Sequence, residues 1–422
     1  MKKRPVGAML LLILGFLAVS GLTAFAFLST ETVSQKENRT LAAMPELTRD
    51  TWFSGGFASA LENYLSDHVF DRNSLVSASQ RLEGMMEKAT DIRVVRQEVD
   101  IGVDVQETAP AVSAGAVQAP AVNVQEEEYL ILNDRIVPVY QSNDAARKYY
   151  WQVVNACYRS LPDSIHKHLM LVPSRIEFEE ESVRALADSQ KEAIDHVYKN
   201  VDATVNKIDA YGRLADKDVD ALYFRTDHHW TALAAYYGAQ ALFESVGRSY
   251  LPIEDYDRHE VPGFLGYLYA KNNVASIRSQ PDTLTYYLYG NSSCPQTVHT
   301  FDEDSNAPVV RQSDVVDPAR GFYYTFVESS FSHTVIEGRR DDGSCILVVG
   351  DSYANVLMPW LADNFARAIL IDPRYFTGGH AAFMELFSDY GVTDFLIADY
   401  AQVLTSVYFT AQIDALQGEG AQ

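Results

Sequence analysis

Residues 345–353 read Cys345-Ile-Leu-Val-Val-Gly350-Asp351-Ser352-Tyr353, an apolar run, a glycine turn and the opening of a helix. A strand apolar at every position is covered on both faces, which points to a parallel sheet clad in helices. His168–Val172, stopped by Pro173, and the runs Ala368–Ile371 and Asp394–Ala398 follow the same pattern. Helical periodicity over Ser182–Asn200 and Phe383–Tyr390 alternates with them. The alternation predicts an α/β domain over 129–422, opening with a hairpin of Tyr129–Leu132 and Ile136–Tyr140 around Asn133-Asp134. A serine at such a strand-to-helix corner stands at the rim of the sheet with helix amides nearby.

The serine's natural counterpart lies upstream, in Arg225-Thr226-Asp227-His228-His229-Trp230-Thr231. On an extended segment residues two apart share a face, so Asp227 can hold one nitrogen of His229 and leave the other free as a base. A helix beginning near Thr231 carries Ala235, Ala239, Leu242 and Val246 on one face, and Gly247 can end it. Each residue has a plainer reading: Ser352 and Asp227 are both good helix caps. Asp227, His228 and His229 are also metal-ligand types, although adjacent histidines on an extended chain point to opposite faces. What favours chemistry is that an orienter, a base and a nucleophile all fall at element ends on one edge of one sheet.

Composition narrows the field. The 422 residues are 47% hydrophobic, enough to bury a sizeable core. With 34 basic and 57 acidic side chains the formal charge is −23, so nucleic acid would be repelled. Cys157, Cys294 and Cys345 show neither metal-site spacing nor an even count, which argues against a zinc ribbon or a disulfide framework.

Towards the N-terminus, Lys2, Lys3 and Arg4 precede an uncharged apolar stretch, Val6–Leu28, long enough to cross a bilayer core of ~30 Å. Residues 1–28 are therefore expected to be a single-pass membrane anchor with its basic end in the cytoplasm and the large domain outside. A signal peptide cleaved after Ala24-Phe25-Ala26 is the rival reading. Residues 29–99 read as a helical extension, with Phe57, Leu61, Tyr64 and Leu65 and then Leu75, Leu82 and Met86 at helical spacing around Asp67-His68. Residues 100–128, rich in Ala, Val, Pro and Gln, read as a low-complexity linker or surface loop. Residues 251–342, with tyrosine-rich runs at Thr283–Tyr289 and Gly321–Val327, read as an insertion of antiparallel strands near the site. Arg374, Tyr353 and Asn355 are candidates to hold substrate or supply oxyanion donors; the alternatives are a salt bridge for Arg374 and solvent exposure on the first helical turn for the other two.

The Asp227-His228-His229-Trp230 tetrad followed by Gly350-Asp351-Ser352-Tyr353 resembles the DHHW family, which is related to the SGNH-hydrolase-like O-acetyltransferases of the alginate-acetylation type. Glu37-Asn38-Arg39 and Asp67-His68 are also typical of these proteins. The resemblance makes Asp227 the orienter, His229 the base and Ser352 the nucleophile, with no chemical role for His228 or Trp230. An ordinary SGNH hydrolase has Asp-x-x-His after its serine, but here the only later histidine is His380, with Thr377 in the aspartate's place. The motif order must be permuted.

The resemblance further implies acyl transfer, in the first place of acetyl, to hydroxyls of an exopolysaccharide or cell-wall glycan. It implies no cofactor or metal, and a membrane-bound O-acyltransferase as partner. A carbohydrate esterase of the same fold, a metal-dependent hydrolase and a non-catalytic envelope or glycan-binding protein are the alternatives.

Overall fold

The computed structural model describes residues 92–98, 126–301, 307–327 and 332–417, with short pieces before residue 66. The expected anchor Val6–Leu28, Asp67-His68 and most of the linker lie outside the described residues. Among the described residues no helix is long and apolar enough to cross a membrane. The chain divides into two units, residues 1–91 with 267–279, and residues 92–266 with 280–422. In the first, helical residues are described at Phe57, Leu61, Tyr64 and Leu65, and short helices at Tyr267–Asn272 and Ala275–Arg278.

The second unit opens with β1 (Arg93–Glu98), β2 (Glu126–Ile131) and β3 (Ile136–Pro138), an antiparallel three-stranded sheet. The hairpin was expected. β1 falls where a helical extension was expected; its Val94-Val95 pair suits a strand, but six residues are too few to show a period.

Helix α1 (Asp144–Ser160), capped by Asn143, leads to β4 (His166–Val172). The helix expected over Ser182–Asn200 is broken: a turn at Glu181–Arg184 precedes α2 (Gln190–Asn200), because the Ser189 side chain takes the Glu192 amide and caps a new start. Then come β5 (Asn206–Ile208) and α3 (Ala232–Ser245), after which Gly247 turns left-handed at φ +66°. Strands β6 (Tyr256–Phe264) and β7 (Asp282–Tyr289) form an antiparallel ribbon. Next are β8 (Pro295–Phe301), β9 (Pro308–Asp314) and β10 (His333–Glu337). The C-terminal part alternates β11 (Cys345–Gly350), α4 (Ser352–Ala362), β12 (Arg367–Ile371), α5 (Gly379–Tyr390), β13 (Asp394–Tyr400) and α6 (Tyr408–Ala415).

The central sheet has eight strands in the order β9-β8-β10-β12-β11-β13-β4-β5. The five from β12 to β5 are parallel, and the other three are antiparallel. Three of the strands expected in an insertion thus extend the main sheet, and only the β6–β7 ribbon stands outside it. Period-two alternation explains why β11 is apolar throughout: Ile346 and Val348 enter one core with α3 and α4, while Cys345, Leu347 and Val349 enter the other with α1, α2 and α5. From β11 the chain crosses one face of the sheet through α4 to β12, and from β12 it crosses the other face through α5 to β13, which pairs with β11 on its far side. Connections that cross opposite faces part at the carboxyl ends of the strands, and Ser352 follows the carboxyl end of β11.

Candidate active site

Gly350 ends β11 because nothing larger fits: a Cβ there would strike the Ala398 carbonyl of β13 and come within 2.9 Å of Ala354 Cβ. Asp351 then caps α4, its Oδ1 accepting from the Tyr353 amide at 2.8 Å and its Oδ2 from the Tyr400 amide at 2.9 Å. The cap role that sequence offered to Ser352 is therefore taken by Asp351, and Ser352 is left as the first helical residue with its hydroxyl available.

The segment before α3 is not extended. Tyr223 and Trp230 pair as an isolated antiparallel bridge, and residues 225–229 bend between them. Asp227 Oδ1 accepts from the His229 amide at 2.9 Å and lies 2.6 Å from His229 Nδ1. Aspartate and imidazole meet through an Asx turn and not through strand alternation. The two histidine rings also do not diverge as expected: they lie 3.9 Å apart at 34°. Thr231, not Asp227, caps α3.

On its far side His229 Nε2 lies 2.6 Å from Ser352 Oγ, across 123 positions of sequence. Asp227 and His229 are buried. Carboxylate, imidazole and hydroxyl form one line with hydrogen-bond spacing on both sides of the ring, so Nδ1 carries the proton that Asp227 accepts and Nε2 faces the serine as acceptor.

Asp227, His228 and His229 do offer ligand atoms within 4.8 Å of one another. However, Asp227 Oδ1 and His229 Nδ1 are 2.6 Å apart, closer than the ~3.3 Å between two ligands on one tetrahedral zinc with bonds of about 2.0 Å. That pair is a hydrogen bond, and its donor set fits acid–base work.

Residues without an assigned role find one here. Trp230 Nε1 donates to the Tyr353 carbonyl at 3.0 Å, and its ring stacks on Tyr353 at 5.5 Å, fastening the histidine loop to the serine helix. Tyr323 lies flat on His229. No spacing in the sequence pointed to Tyr323, which comes from the tyrosine-rich run Gly321–Val327.

The three candidate binding residues divide. Tyr353 is buried, its hydroxyl donating to the His228 carbonyl at 2.5 Å and its amide held by Asp351, so it is a packing residue and not an exposed donor. Arg374 grips Asp372 with two bonds of 2.9 and 2.6 Å, the salt-bridge alternative. Asn355 is buried, not exposed on its turn; it lies one turn along α4 from Ser352, on the same face, and its side chain makes no hydrogen bond to another described residue.

Residues 86–371 match the family model described as DHHW protein. The chain belongs to the DHHW family. A DHHW family protein from Eubacterium siraeum has the same fold, with 24% identity and a TM-score of 0.60 over 72% of this chain and 99% of that one. Bacillus cereus PatB1 is similar at 18% identity and a TM-score of 0.56, covering 67% of this chain and 99% of its own. PatB1 with a sulfonyl adduct aligns at 18% identity and a TM-score of 0.54, covering 67% of this chain and 96% of that one. No curated protein matches. In this DHHW protein the tetrad presents, in order, a carboxylate at His229 Nδ1, the carbonyl that receives Tyr353, the imidazole that faces Ser352 and the indole bonded to the serine helix.

Proposed function

We propose that this DHHW protein transfers acyl groups, acetyl in the first place, to hydroxyls of an exopolysaccharide or cell-wall glycan through a covalent intermediate on Ser352. The observation that carries the reading is His229 standing 2.6 Å from both Asp227 and Ser352. His229 Nε2 takes the Ser352 proton as Oγ attacks the acyl carbonyl. Asp227 stabilises the imidazolium, and the imidazolium returns the proton to the leaving group. A sugar hydroxyl then gives its proton to His229 as it attacks the acyl carbon, and His229 passes that proton to Ser352 Oγ as the acyl–Oγ bond breaks. The Ser352 amide and the Asn355 side chain are the candidate oxyanion donors, each such donor contributing about 3–4 kcal/mol in comparable sites. PatB1, of the same fold, is known with a sulfonyl adduct, and sulfonyl electrophiles are generally trapped by activated nucleophiles.

An esterase would use the same intermediate with water as acceptor. A non-catalytic role leaves the two short bonds to His229 without a purpose. The basic start and apolar stretch Val6–Leu28 support anchoring at the cell membrane with the large domain outside; an acyl donor supplied by a membrane-bound O-acyltransferase is what the family resemblance implies.

The test is turnover of a small aryl acetate by the purified protein. Ser352→Ala and His229→Ala should each lower kcat by about 10³-fold or more, and the double variant should be hardly worse because the residues act as a unit. Asp227→Asn should also be severe, as the amide can select the wrong tautomer. Full activity in Ser352→Ala would exclude the covalent route. Mass spectrometry of acyl groups on surface polymers, with and without the protein, then separates transfer from hydrolysis.

A further inference from the structure

Asp227 and His229 both sit on a bent loop that belongs to neither a helix nor a strand. We infer that Asp282, the first residue of β7, is a positioning residue that fixes this loop and through it the Asp227–His229 pair. Its Oδ2 accepts from the Arg225 amide at 3.0 Å, the Thr226 amide at 2.8 Å and Thr226 Oγ1 at 2.7 Å. Its Oδ1 accepts from Arg225 Nε at 3.1 Å. One buried carboxylate thus collects four donors from the two residues immediately before Asp227.

The surroundings show that this is more than an ion pair with Arg225. Thr226 Oγ1 also accepts from the Gly266 amide at 3.0 Å, so the hydroxyl ties the loop to the chain leaving β6. At Gly266 a Cβ would run into the Asp227 side chain. Phe264 and Asp282 are register partners at the end of the β6–β7 ribbon. On the loop's other side the Ile136 amide of β3 donates to the Arg225 carbonyl at 2.9 Å. The ribbon end is therefore a cradle: its carboxylate holds the loop's amides and its glycine leaves room for the orienting aspartate.

Asparagine at 282 has one acceptor oxygen in place of two, so its Nδ2 must face either the loop amides or the Arg225 guanidinium, donor against donor. A shift of ~1 Å in a reacting group costs on the order of 100-fold in rate. The kinetic consequence rests on the triad proposed above; the geometric one does not.

Two measurements on the full chain separate the possibilities. In aryl acetate turnover, Asp282→Asn should lower kcat about 100-fold with KM within about twofold. In an Asp227→Asn background the same change should cost no more than about threefold, because a residue acting through Asp227 has nothing left to position. An equal loss in both backgrounds would overturn the inference. Independently of activity, the proton on His229 Nδ1 should give a far-downfield NMR resonance, assigned by its loss in His229→Ala and Asp227→Asn. It should vanish or move upfield in Asp282→Asn, while the Trp230 Nε1 proton, bonded to Tyr353, keeps its shift. An unmoved His229 resonance would also overturn the inference. If Asp282→Asn does not fold, Thr226→Val removes one of the four donors more gently and is held to the same two readouts. An inactive wild type whose His229 resonance still responds to Asp282 would sink the proposed function and leave the positioning role standing.

Discussion

The rings of Tyr323 and His229 lie parallel within 14°, with centroids 3.7 Å apart, so one face of the proposed base is sealed by an aromatic plate. Such a contact is worth about 1 kcal/mol beyond burial, or ~5-fold in rate if it acts only by holding the imidazole in line. Tyr323→Leu should lower kcat by that factor with little change in Tm, and Tyr323→Phe, which keeps the plate, should stay close to wild type. Steady-state kinetics beside a thermal melt decides it. A Tyr323→Leu protein with wild-type kcat would remove the plate from the mechanism.

Gly238 in α3 faces the Trp230 indole, where a Cβ would approach Cη2 to 2.8 Å. Gly→Ala inside a helix ordinarily stabilises by about 1 kcal/mol. Here the sign should reverse: Gly238→Ala should lower Tm, and adding Trp230→Phe, which shortens the ring, should recover part of the loss. Urea melts of the two single variants and the double one measure the coupling, and simple additivity would mean that the indole is not the obstacle.

Gly350→Ala should be harsher, because the obstacle is the backbone carbonyl of Ala398 and cannot rotate away. A loss of about 2 kcal/mol or more is expected, with reduced soluble yield. A wild-type melting curve would show that β11 and β13 can separate at their carboxyl ends.

The fourth prediction concerns pH. Burial pushes the Asp351 carboxyl from 3.8 up to about 6, against the opposing pull of the Tyr400 and Tyr353 amides and the Arg374 charge. A carboxyl whose folded pKa is raised binds its proton more tightly in the native state. Its stabilising contribution is therefore complete below pH 3.8 and is lost as pH rises through 6, by up to about 3 kcal/mol. Asp399, also buried, with the Tyr150 hydroxyl donating to it at 2.7 Å, is raised by burial and by the Asp351 charge, and so acts in the same direction. The stability of wild type relative to Asp351→Asn should fall between pH 4 and 7, as followed by denaturant melts across that range. A flat difference would place the proton elsewhere.

How much of this was legible depends on the range of the forces involved. β11, β12 and β13 showed in the sequence because both faces of each are buried, which leaves an unbroken apolar run. Ser352, His229 and Asp227 were legible as residue types, since few chemistries use those three at element ends. Their geometry was less so: the Asx turn that joins Asp227 to His229 is a local hydrogen bond that no periodicity reports. Tyr323 and Asp282 were invisible because they reach the site from strands and turns far along the chain, and a buried tyrosine or aspartate has no spacing signature of its own. The same holds for β8, β9 and β10, which fall in the stretch 251–342 that read as an insertion, while the pairing of β8 with β10 and of β10 with β12 is a long-range fact.

The pairing of β13 with β4 sets a timetable for the chain's birth. His168 and Asp394, bonded across those strands, are 226 positions apart. At ~5–20 residues per second, β4 waits about 10–45 s after synthesis for its neighbour, its apolar residues without their native cover. Over that interval an open edge of β4 is exposed to pairing with another copy of the chain, so crowding of nascent chains, more than their final stability, should govern the yield of folded protein.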